Sequence, residues 1–433
     1  MDRIISNLIL YGKNENANIL RDLRDLYGEF RLANISNEEI RQKLSNIVKN
    51  LLEISTDYGF EENLWQSYLT YVLITDENPF TLVTERKGFE RGSVEKIVKN
   101  DLNAFYKLFY YDFSTLENTI GTNFFEILTN YTSIQKPDNI YNKPISLKVS
   151  ELRRKLTEAN NVDKFFSLVN EFYKNIGVGK IALNPTFRIE TNGNDVELIP
   201  ITNMIDVRFE NLIGYESQKA ELIENTQFFV DGKSANNVLL YGDSGTGKST
   251  SIKATINEFY KDGLRMIEIY KHQLEYLAKV IGKIKNRNYK FIIYMDDLSF
   301  EEFETDYKYL KSIIEGGLES KPSNVLIYAT SNRRHLIKET WSDRDDMEID
   351  GEIHKSDNLE EKLSLSSRFG ITIGYFKPLQ KGYLEIVRGL AERNNISMDV
   401  EELEAEAIKW ERHNGGRSGR TAEQFIRYLK SKN

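Results

Sequence analysis

The segment that most constrains the fold is 237–250, NVLLYGDSGTGKST, in which a short apolar run leads into the pattern Gly-x-x-x-x-Gly-Lys-Ser. An apolar run without polar alternation is typical of a strand buried on both faces of a parallel sheet. The glycines that follow allow a tight turn, in which backbone N–H groups and the first turn of a helix face a polyphosphate. The pattern therefore predicts a strand, a phosphate-binding loop and a helix that begins near Lys248.

The loop residues have distinct expected roles. We expect the Lys248 side chain to reach the β- and γ-phosphates of ATP and the Ser249 hydroxyl to ligate Mg²⁺. A glycine-rich turn that binds nothing is the alternative, and the strand pattern before it and the helical pattern after it argue against that. The other residues expected to surround the phosphates are Gly242, Asp243, Ser244, Gly245, Thr246, Gly247 and Thr250.

A wall for the base is predicted shortly before this loop. Residues 208–232 have the pattern of a turn followed by a helix that leads into the loop strand. Because a phosphate loop by itself cannot hold a base, we expect the turn, above all Ile213 and Tyr215, to contact the adenine. A plain connecting turn is the alternative.

Two acidic residues follow a second apolar run. Residues 291–295, FIIYM, precede Asp296 and Asp297. Ligands gather at the carboxyl ends of strands in open α/β sheets, so we expect both acids to lie beside the phosphate loop. Asp296 is then the carboxylate on the Mg²⁺ side, held through water, and Asp297 is the candidate base for the attacking water. A pair of acids that only caps the next turn is the alternative.

A third apolar run, residues 325–329, precedes Ser331 and Asn332. An amide can hydrogen-bond both a water molecule and the γ-phosphate, so Asn332 is the stronger candidate of the two. Further along, residues 341–362 are rich in acids and are interpreted as a surface insertion. Its His354 is interpreted as part of a solvated face rather than as a metal ligand.

Composition limits the class of protein. The chain has 433 residues, 40% of them hydrophobic and 29% charged, which is typical of a soluble globular protein with two or three domains. It contains no cysteine, which excludes disulfides, thiolate nucleophiles and cysteine-ligated zinc. No segment approaches 18 apolar residues and no secretory cleavage signal is evident. We therefore expect a cytoplasmic protein without a membrane span.

The charge distribution bears on the choice of partner. Residues 1–200 carry 24 basic and 28 acidic side chains, and residues 201–433 carry 34 and 38, so each part has a net charge of −4. A large non-specific nucleic-acid footprint needs clustered cationic charge and is disfavoured. An evident helix-turn-helix is also missing, which argues against an initiator-like DNA-binding protein. A local basic patch is left open.

The periodicity along the chain predicts four regions. Apolar residues recur at three- and four-residue spacing through most of residues 1–185, which predicts an all-helical N-terminal domain whose many Phe and Tyr side chains form its core. An Asn-Gly turn between strand-like runs predicts a hairpin linker over 186–204. The α/β core is expected over 205–378 and a small helical lid over 379–433.

These motifs, in this order, resemble the AAA+ ATPases over about residues 205–433. More narrowly, ANNVLLYGDSGTGKST, FIIYMDDLSFEE, ATSNRRHL and LSLSSRFGITI resemble a bacterial group of ATP-binding proteins named only as domain of unknown function family 815. The resemblance implies an α/β P-loop core with a parallel sheet, a C-terminal helical lid and a homo-oligomeric ring or spiral, usually of six subunits, with ATP at the subunit interfaces.

The resemblance also assigns roles to particular residues. It implies that Lys248 and Ser249 are the Walker A residues, that Asp296 and Asp297 are Walker B, and that Asn332 is sensor 1. Arg368 matches the arginine finger given to a neighbouring subunit. Arg417 matches the lid arginine, sensor 2, with Arg420 as the alternative.

Two departures from the family pattern affect the expected function. Walker B usually ends Asp-Glu, whereas here it ends in Asp297, so that Glu301 or Glu302 is an alternative base. The aromatic-hydrophobic-Gly pore loop of protein-threading members is not found in residues 265–285. The favoured hypothesis is an ATPase that remodels or loads an unknown macromolecular partner held by the N-terminal helical domain. The other is a nucleotide-dependent assembly switch with little turnover.

Overall fold

The computed structural model describes residues 1–12, 14–89, 92–132, 143–193, 195–203, 206–301, 304–315, 322–337 and 365–432. The chain divides into two compact units, Met1–Asn184 and Pro185–Asn433. The acidic stretch over 341–362, including His354, lies outside the described residues, and so does Glu302.

The first unit is helical, as predicted. Its buried side chains include many large aromatic rings, among them Trp65, Tyr68, Phe105 and Tyr173, which confirms that these residues form a core. The helices are α1 (Asp2–Ser6), α2 (Asn18–Arg31), α3 (Asn37–Tyr58), α4 (Leu64–Thr75), α5 (Pro79–Lys87), α6 (Val94–Phe109), α7 (Ser114–Ile120), α8 (Phe124–Thr129), α9 (Lys143–Thr157), α10 (Val162–Asn175) and α11 (Gly179–Leu183).

Helix α4 is at the centre of this unit. Eleven of its twelve residues are buried, because α3, α6, α8 and α9 pack around it. Most residues of α4 are apolar and none is charged, and a helix of this kind is buried on all sides in a globular protein. The indole N–H of Trp65 donates to the carbonyl oxygen of Leu108 at 2.8 Å, so the buried donor is satisfied.

A buried carboxylate fixes the start of the chain to α6. Asp101 is fully buried and accepts backbone hydrogen bonds from the N–H groups of Ile9, Leu10 and Tyr11, at 3.0, 2.7 and 3.4 Å. Three donors that converge on one carboxylate offset much of the free energy needed to bury its charge.

The second unit is built on a seven-stranded sheet with the order β2-β1-β4-β5-β6-β3-β7. Every neighbouring pair is parallel except β1 with β2. The strands are β1 (Thr186–Asn192), β2 (Asp195–Pro200), β3 (Val238–Gly242), β4 (Leu264–Glu268), β5 (Lys290–Met295), β6 (Val325–Ser331) and β7 (Ile371–Tyr375). The helices among them are α12 (Glu216–Val230), α13 (Lys248–Phe259), α14 (Leu277–Ile284) and α15 (Tyr307–Glu315).

This topology places the predicted motifs together. The motif strand β3 pairs with β6, and β6 pairs with β5, so the three apolar runs of the sequence are neighbours. Because they are parallel, their carboxyl ends lie at the same edge of the sheet. The α/β P-loop architecture is therefore present.

The predicted hairpin over 186–204 forms, but it does not serve as a linker between the two parts of the chain. It lies within the second unit, where β1 pairs in parallel with β4 through residues 186–188 and 266–268. The edge of β4 would otherwise expose unpaired backbone groups, and the hairpin satisfies them.

Three helices follow the last strand, in the region expected to form the lid. They are α16 (Gln380–Arg393), α17 (Val400–His413) and α18 (Gly419–Lys432). Their shared core contains Tyr383, Val387, Ala407, Ala422 and Phe425. Among the helices that the structure describes, none combines the length and the apolar character needed to cross a bilayer.

We expect Asp101→Ala to lower the free energy of unfolding by about 2–4 kcal/mol, because three backbone N–H groups lose a charged acceptor. Urea unfolding of the full chain, followed by circular dichroism and tryptophan fluorescence, measures the change. Asp25→Ala is the control, since the Asp25 carboxylate is exposed and pairs with the neighbouring Arg24. Equal losses in the two variants would contradict the anchoring role of Asp101.

Candidate functional site

The carboxyl edge of the sheet opens into a cavity of about 430 Å³, a size typical of sites for small organic ligands. The loop after β3, the ends of β5 and β6, the turn before α12 and the helices α16 and α18 all contribute to it. The lining residues are Asn211, Leu212, Ile213, Tyr215, Ser244, Gly245, Thr246, Gly247, Lys248, Ser249, Thr250, Asp296, Asp297, Thr330, Asn332, Ile386, Leu390, Gly419 and Arg420.

The loop conformation requires glycine. Gly242 and Gly247 have φ angles of 130° and 96°. A Cβ atom at Gly242 would lie 2.1 Å from the backbone oxygen of Tyr375, and one at Gly247 would lie 2.8 Å from the side chain of Leu212. Both positions combine a left-handed backbone with close neighbours, so only glycine fits without a shift.

Lys248 begins helix α13 and its side chain turns back over the loop. Its Nζ donates to the carbonyl oxygens of Gly242 and Asp243 at 2.8 and 2.7 Å, and to Oδ1 of Asn332 at 3.1 Å. Burial lowers the pKa of this ammonium, and the nearby carboxylates, first that of Asp297, oppose the shift in part. A buried cation whose partners are mostly neutral oxygens favours an anionic ligand.

Asp296 and Ser249 form a pair of oxygen donors. Oδ1 of Asp296 accepts from the Ser249 hydroxyl at 2.7 Å and from the Thr330 hydroxyl at 2.6 Å. Burial acts to raise the pKa of Asp296, but these hydrogen bonds outweigh it and hold the pKa below its usual value. The result is an ionised carboxylate beside a hydroxyl.

This donor set fits Mg²⁺, which prefers oxygen ligands and usually combines one or two protein groups with water and phosphate oxygens. The described residues contain no cluster of three or more His, Cys, Asp or Glu that could hold a metal ion by themselves. The chain thus offers a partial shell for a hard cation, of the kind that a polyphosphate completes.

Asp297 has a left-handed backbone, with φ of 49°. Its N–H donates to the Thr330 hydroxyl at 2.8 Å, and its Oδ1 accepts from the Asn332 amide at 2.7 Å. A left-handed residue other than glycine is uncommon and persists where its surroundings hold it. Thr330 and Asn332 hold Asp297 and direct its carboxylate toward the cavity.

Thr330 is a residue of the site that we did not predict from the sequence. Its single hydroxyl donates to Asp296 and accepts from the N–H of Asp297, so it joins the two acids. A signal existed, because residues 330 and 332 of a strand face the same side. Ser331, the weaker candidate of the sequence, faces the other way and accepts from the N–H of Arg333.

Ile213 and Tyr215 lie where the base wall was expected. They line the cavity together with Ile386 and Leu390 of α16, and Ile213 also packs against the core that the C-terminal helices share. Tyr215 has φ of 61°, and its hydroxyl donates to the carbonyl oxygen of Phe376 at 2.7 Å, so the strained turn is tied to the end of β7.

Two cations fix the turn that carries this wall. Lys219 donates to the carbonyl oxygen of Leu212 at 2.8 Å. Arg393, the last residue of α16, donates to the carbonyl oxygens of Asn211, at 2.8 Å, and of Glu210. The turn is therefore held from the core and from the lid.

The two candidate lid arginines are in different places. Arg420 lines the cavity, its N–H donates to the carbonyl oxygen of Gly245 at 3.2 Å, and its guanidinium is 3.4 Å from the Ser244 hydroxyl. Arg417 is not among the residues that line the cavity and instead forms a 3.1 Å ion pair with Glu411. Arg420, the alternative candidate, therefore lies against the phosphate loop. Arg417, which the sequence favoured, does not.

The other predicted residues have more varied positions. Gly242 and Asp243 reach the site through their carbonyl oxygens, which Lys248 contacts. Arg368 is half-buried near the start of β7 and does not line this cavity of the single chain. Glu301 lies beyond the end of β5, also outside the lining.

Comparison with known proteins identifies similar chains. The proteasome-activating nucleotidase 2 of Haloferax volcanii is 22% identical over 256 residues, which are 54% of this chain and 59% of that protein. Less than two thirds of that relative's length is therefore covered.

Solved structures of RuvB from Thermotoga maritima also match. A point mutant of RuvB has a TM-score of 0.36, and the structure titled Holliday junction branch migration motor has one of 0.34. Both are 17% identical, and the match covers 52% of this chain and 63% of each RuvB chain.

A family model, described as a protein of unknown function (DUF815), matches residues 182–433, which is more than half of the chain. The matched region contains the whole sheet, the loop of Gly242 to Ser249 and the three C-terminal helices. The protein therefore belongs to this DUF815 family.

Proposed function

We propose that this protein binds ATP with Mg²⁺ in the cavity and hydrolyses it to ADP and phosphate, and that the cycle remodels or loads a macromolecular partner. One observation carries the proposal. Six residues, at the start of α13 and after or at the ends of β5 and β6, form a continuous polar network around the cavity, in the order Lys248, Asn332, Asp297, Thr330, Asp296 and Ser249. The backbone N–H of Asp297 makes the link to Thr330, and side chains make the others.

The loop supplies the phosphate site. The backbone N–H groups after Gly242 and the N-terminus of α13 favour a polyphosphate. Lys248 would exchange its contacts with neutral oxygens for the β- and γ-phosphates, since the phosphate charge removes the penalty of its burial. Ser249 and Asp296 would hold Mg²⁺, which neutralises charge on the phosphates when bound.

Asp297 is proposed as the base. One carboxylate oxygen accepts from Asn332, and the carboxylate would take a proton from the water that attacks the γ-phosphorus as ADP leaves. Asn332 bridges Asp297 and Lys248, so it sets the distance between the base and the cation on the phosphate. Asp is one methylene shorter than the Glu usual here, and the left-handed backbone of Asp297 determines where its carboxylate lies.

Arg420 is proposed as the lid arginine. Its contact with the phosphate loop places a second cation at the cavity, contributed by α18. Arg368 is proposed to act between subunits of a homo-oligomeric ring, for which six subunits are the family expectation. We further propose that the N-terminal helical unit binds the partner. We also propose that the protein is cytoplasmic.

The base is tested with Asp297→Asn. We expect it to bind ATP normally and to hydrolyse it about 10² to 10⁴ times more slowly, because an amide cannot take the proton. A fluorescent ATP analogue measures binding and phosphate release measures turnover. Glu301→Gln is the matched control and should keep the parent rate, while Lys248→Ala should lose tight binding or turnover.

The outcomes separate the candidate functions. Normal turnover in Asp297→Asn together with loss in Glu301→Gln would reassign the base. Equal activity of Lys248→Ala and the parent would refute the ATPase. If the parent binds ATP but releases phosphate no faster than Asp297→Asn, the protein is a nucleotide-dependent assembly switch.

The two lid arginines should behave oppositely. Arg420→Ala should weaken ATP binding or turnover by about 10- to 100-fold, the equivalent of one charge-assisted hydrogen bond, and leave thermal stability nearly unchanged. Arg417→Ala should keep ATP affinity and lower the melting temperature, since it leaves the buried Glu411 without its cation. Melting curves and nucleotide titrations of both variants decide between them, and the reverse pattern would restore Arg417 as sensor 2.

Arg368 is tested by mixing two inactive variants. Arg368→Ala should bind ATP and lose most of its turnover, as arginine fingers are worth about 10³ to 10⁵ in related chemistries. In a head-to-tail ring, equal mixing with Asp297→Asn makes about one interface in four complete. We expect partial recovery of ATPase on mixing. No recovery, despite demonstrated co-assembly, would contradict a finger acting between subunits.

A further inference from the structure

The turn before α12 contacts two hydrophobic cores. Leu212 packs against the core around the sheet, whereas the next residue, Ile213, packs against the core that the three C-terminal helices share. Both residues also line the cavity of about 430 Å³. This turn is therefore a direct link between the sheet, the proposed base wall and the lid.

On the side of the sheet, the turn is anchored next to the phosphate loop. Lys219 donates to the carbonyl oxygen of Leu212 at 2.8 Å, and Asn257 of α13 donates to the carbonyl oxygen of Val207 at 2.7 Å. The Leu212 side chain also lies against Gly247, where an added Cβ atom would be 2.8 Å from it. None of these contacts involves a residue of the lid.

On the side of the lid, the turn meets the last two turns of α16. The Arg393 guanidinium donates to the carbonyl oxygen of Asn211 at 2.8 Å and to that of Glu210. Gly389 lies one turn earlier on the same face of the helix. A Cβ atom at Gly389 would be 2.5 Å from Cδ1 of Ile213, so the absence of a side chain there lets the helix approach the wall closely.

The two carbonyl groups that Arg393 binds belong to a short 3₁₀ helix, Phe209–Asn211. The first carbonyl group of this helix is used within the turn, since it accepts from the N–H of Leu212 at 3.1 Å. Carbonyl groups at the end of a helical turn lack partners inside it and attract cations. Two nitrogen atoms of one planar guanidinium reach both of them, so the contact fixes the orientation of the turn as well as its distance from α16.

We infer that Arg393 is a positioning residue for the base of the nucleotide. It holds the turn against α16 and thereby keeps Ile213 in the cavity wall that the base would contact. This inference rests on the proposed function. Arg393 is not among the residues that line the cavity, so it acts on the ligand through the turn. Because the base and α16 would both contact Ile213, base binding would in turn stabilise the contact between the turn and the lid.

The phosphate site has separate attachments. The backbone N–H of Arg420 donates to the carbonyl oxygen of Gly245 at 3.2 Å, which ties the lid to the phosphate loop independently of Arg393. Leu212 is anchored through Lys219 on the side of the sheet. Loss of the Arg393 side chain should therefore weaken recognition of the base and leave recognition of the phosphates unchanged.

The test compares Arg393→Ala with Arg388→Ala in the full chain. Arg388 lies on the same helix but pairs with Glu404 of α17 at 2.7 Å. Calorimetric titration with ADP measures binding of base and phosphates together, and titration with pyrophosphate measures the phosphate site alone. We expect Arg393→Ala to bind ADP about tenfold more weakly, the equivalent of one hydrogen bond to a charged group, and to bind pyrophosphate as the parent does. Arg388→Ala should bind both ligands as the parent does.

Gly389→Ala tests the same contact without removing a charge. Alanine is a better helix former than glycine, so a purely structural role of this position predicts an unchanged or higher melting temperature and unchanged ADP affinity. The added methyl group would instead displace Ile213 from its place beside α16. We therefore expect weaker binding of ADP, unchanged binding of pyrophosphate and a melting temperature without nucleotide no lower than the parent's.

Each other outcome has a definite meaning. Equal ADP affinity of Arg393→Ala and the parent would overturn the inference and leave the proposed ATPase standing. Equal losses for ADP and pyrophosphate would also overturn it, because the whole site would then have changed. If Arg393→Ala does not fold, Gly389→Ala decides by the same criteria. If the parent itself binds neither ligand, the proposed function fails first, and the inference fails with it.

Discussion

The site depends on the two hydrogen bonds of the Thr330 hydroxyl. This hydroxyl donates to Asp296 and accepts from the N–H of Asp297, so it joins the end of β5 to β6. It thereby directs Asp296 toward Ser249 and stabilises the left-handed backbone of Asp297. The latter conformation brings the Asp297 carboxylate to Asn332, and Asn332 reaches Lys248. Parallel pairing of β3, β6 and β5 is what brings these groups within hydrogen-bond distance.

The charges of this network favour the joint binding of an anion and a cation. Lys248 is buried and its hydrogen-bond partners are neutral oxygens, while Asp296 is an ionised carboxylate held by hydroxyl donors. A polyphosphate would complete the partners of the lysine, and a hard cation would complete those of Asp296 and Ser249. Each ligand thus satisfies a group that the chain by itself leaves incompletely paired.

The lid contacts the site through three separate groups. Arg420 contacts the phosphate loop, Ile386 and Leu390 line the cavity with Ile213, and Arg393 donates to carbonyl groups of the turn that carries Ile213. A rotation of the lid would therefore move the phosphate contact and the base contact together. Such linkage is the physical basis on which a nucleotide could change the position of a helical domain.

The sequence by itself determined the hairpin, the strands β3, β5 and β6, the glycine-rich loop, the acid pair and Asn332. These features are local, so residue type, spacing and periodicity identify them without knowledge of what packs against them. The helical nature of the first unit follows from the same periodicity. Only the tertiary structure placed the hairpin on the edge of β4, Arg420 rather than Arg417 at the loop, and Thr330 between the two acids. These positions depend on which strands are neighbours and on how a helix end packs, and hydrogen bonds between residues far apart in the chain leave no spacing signal in the sequence.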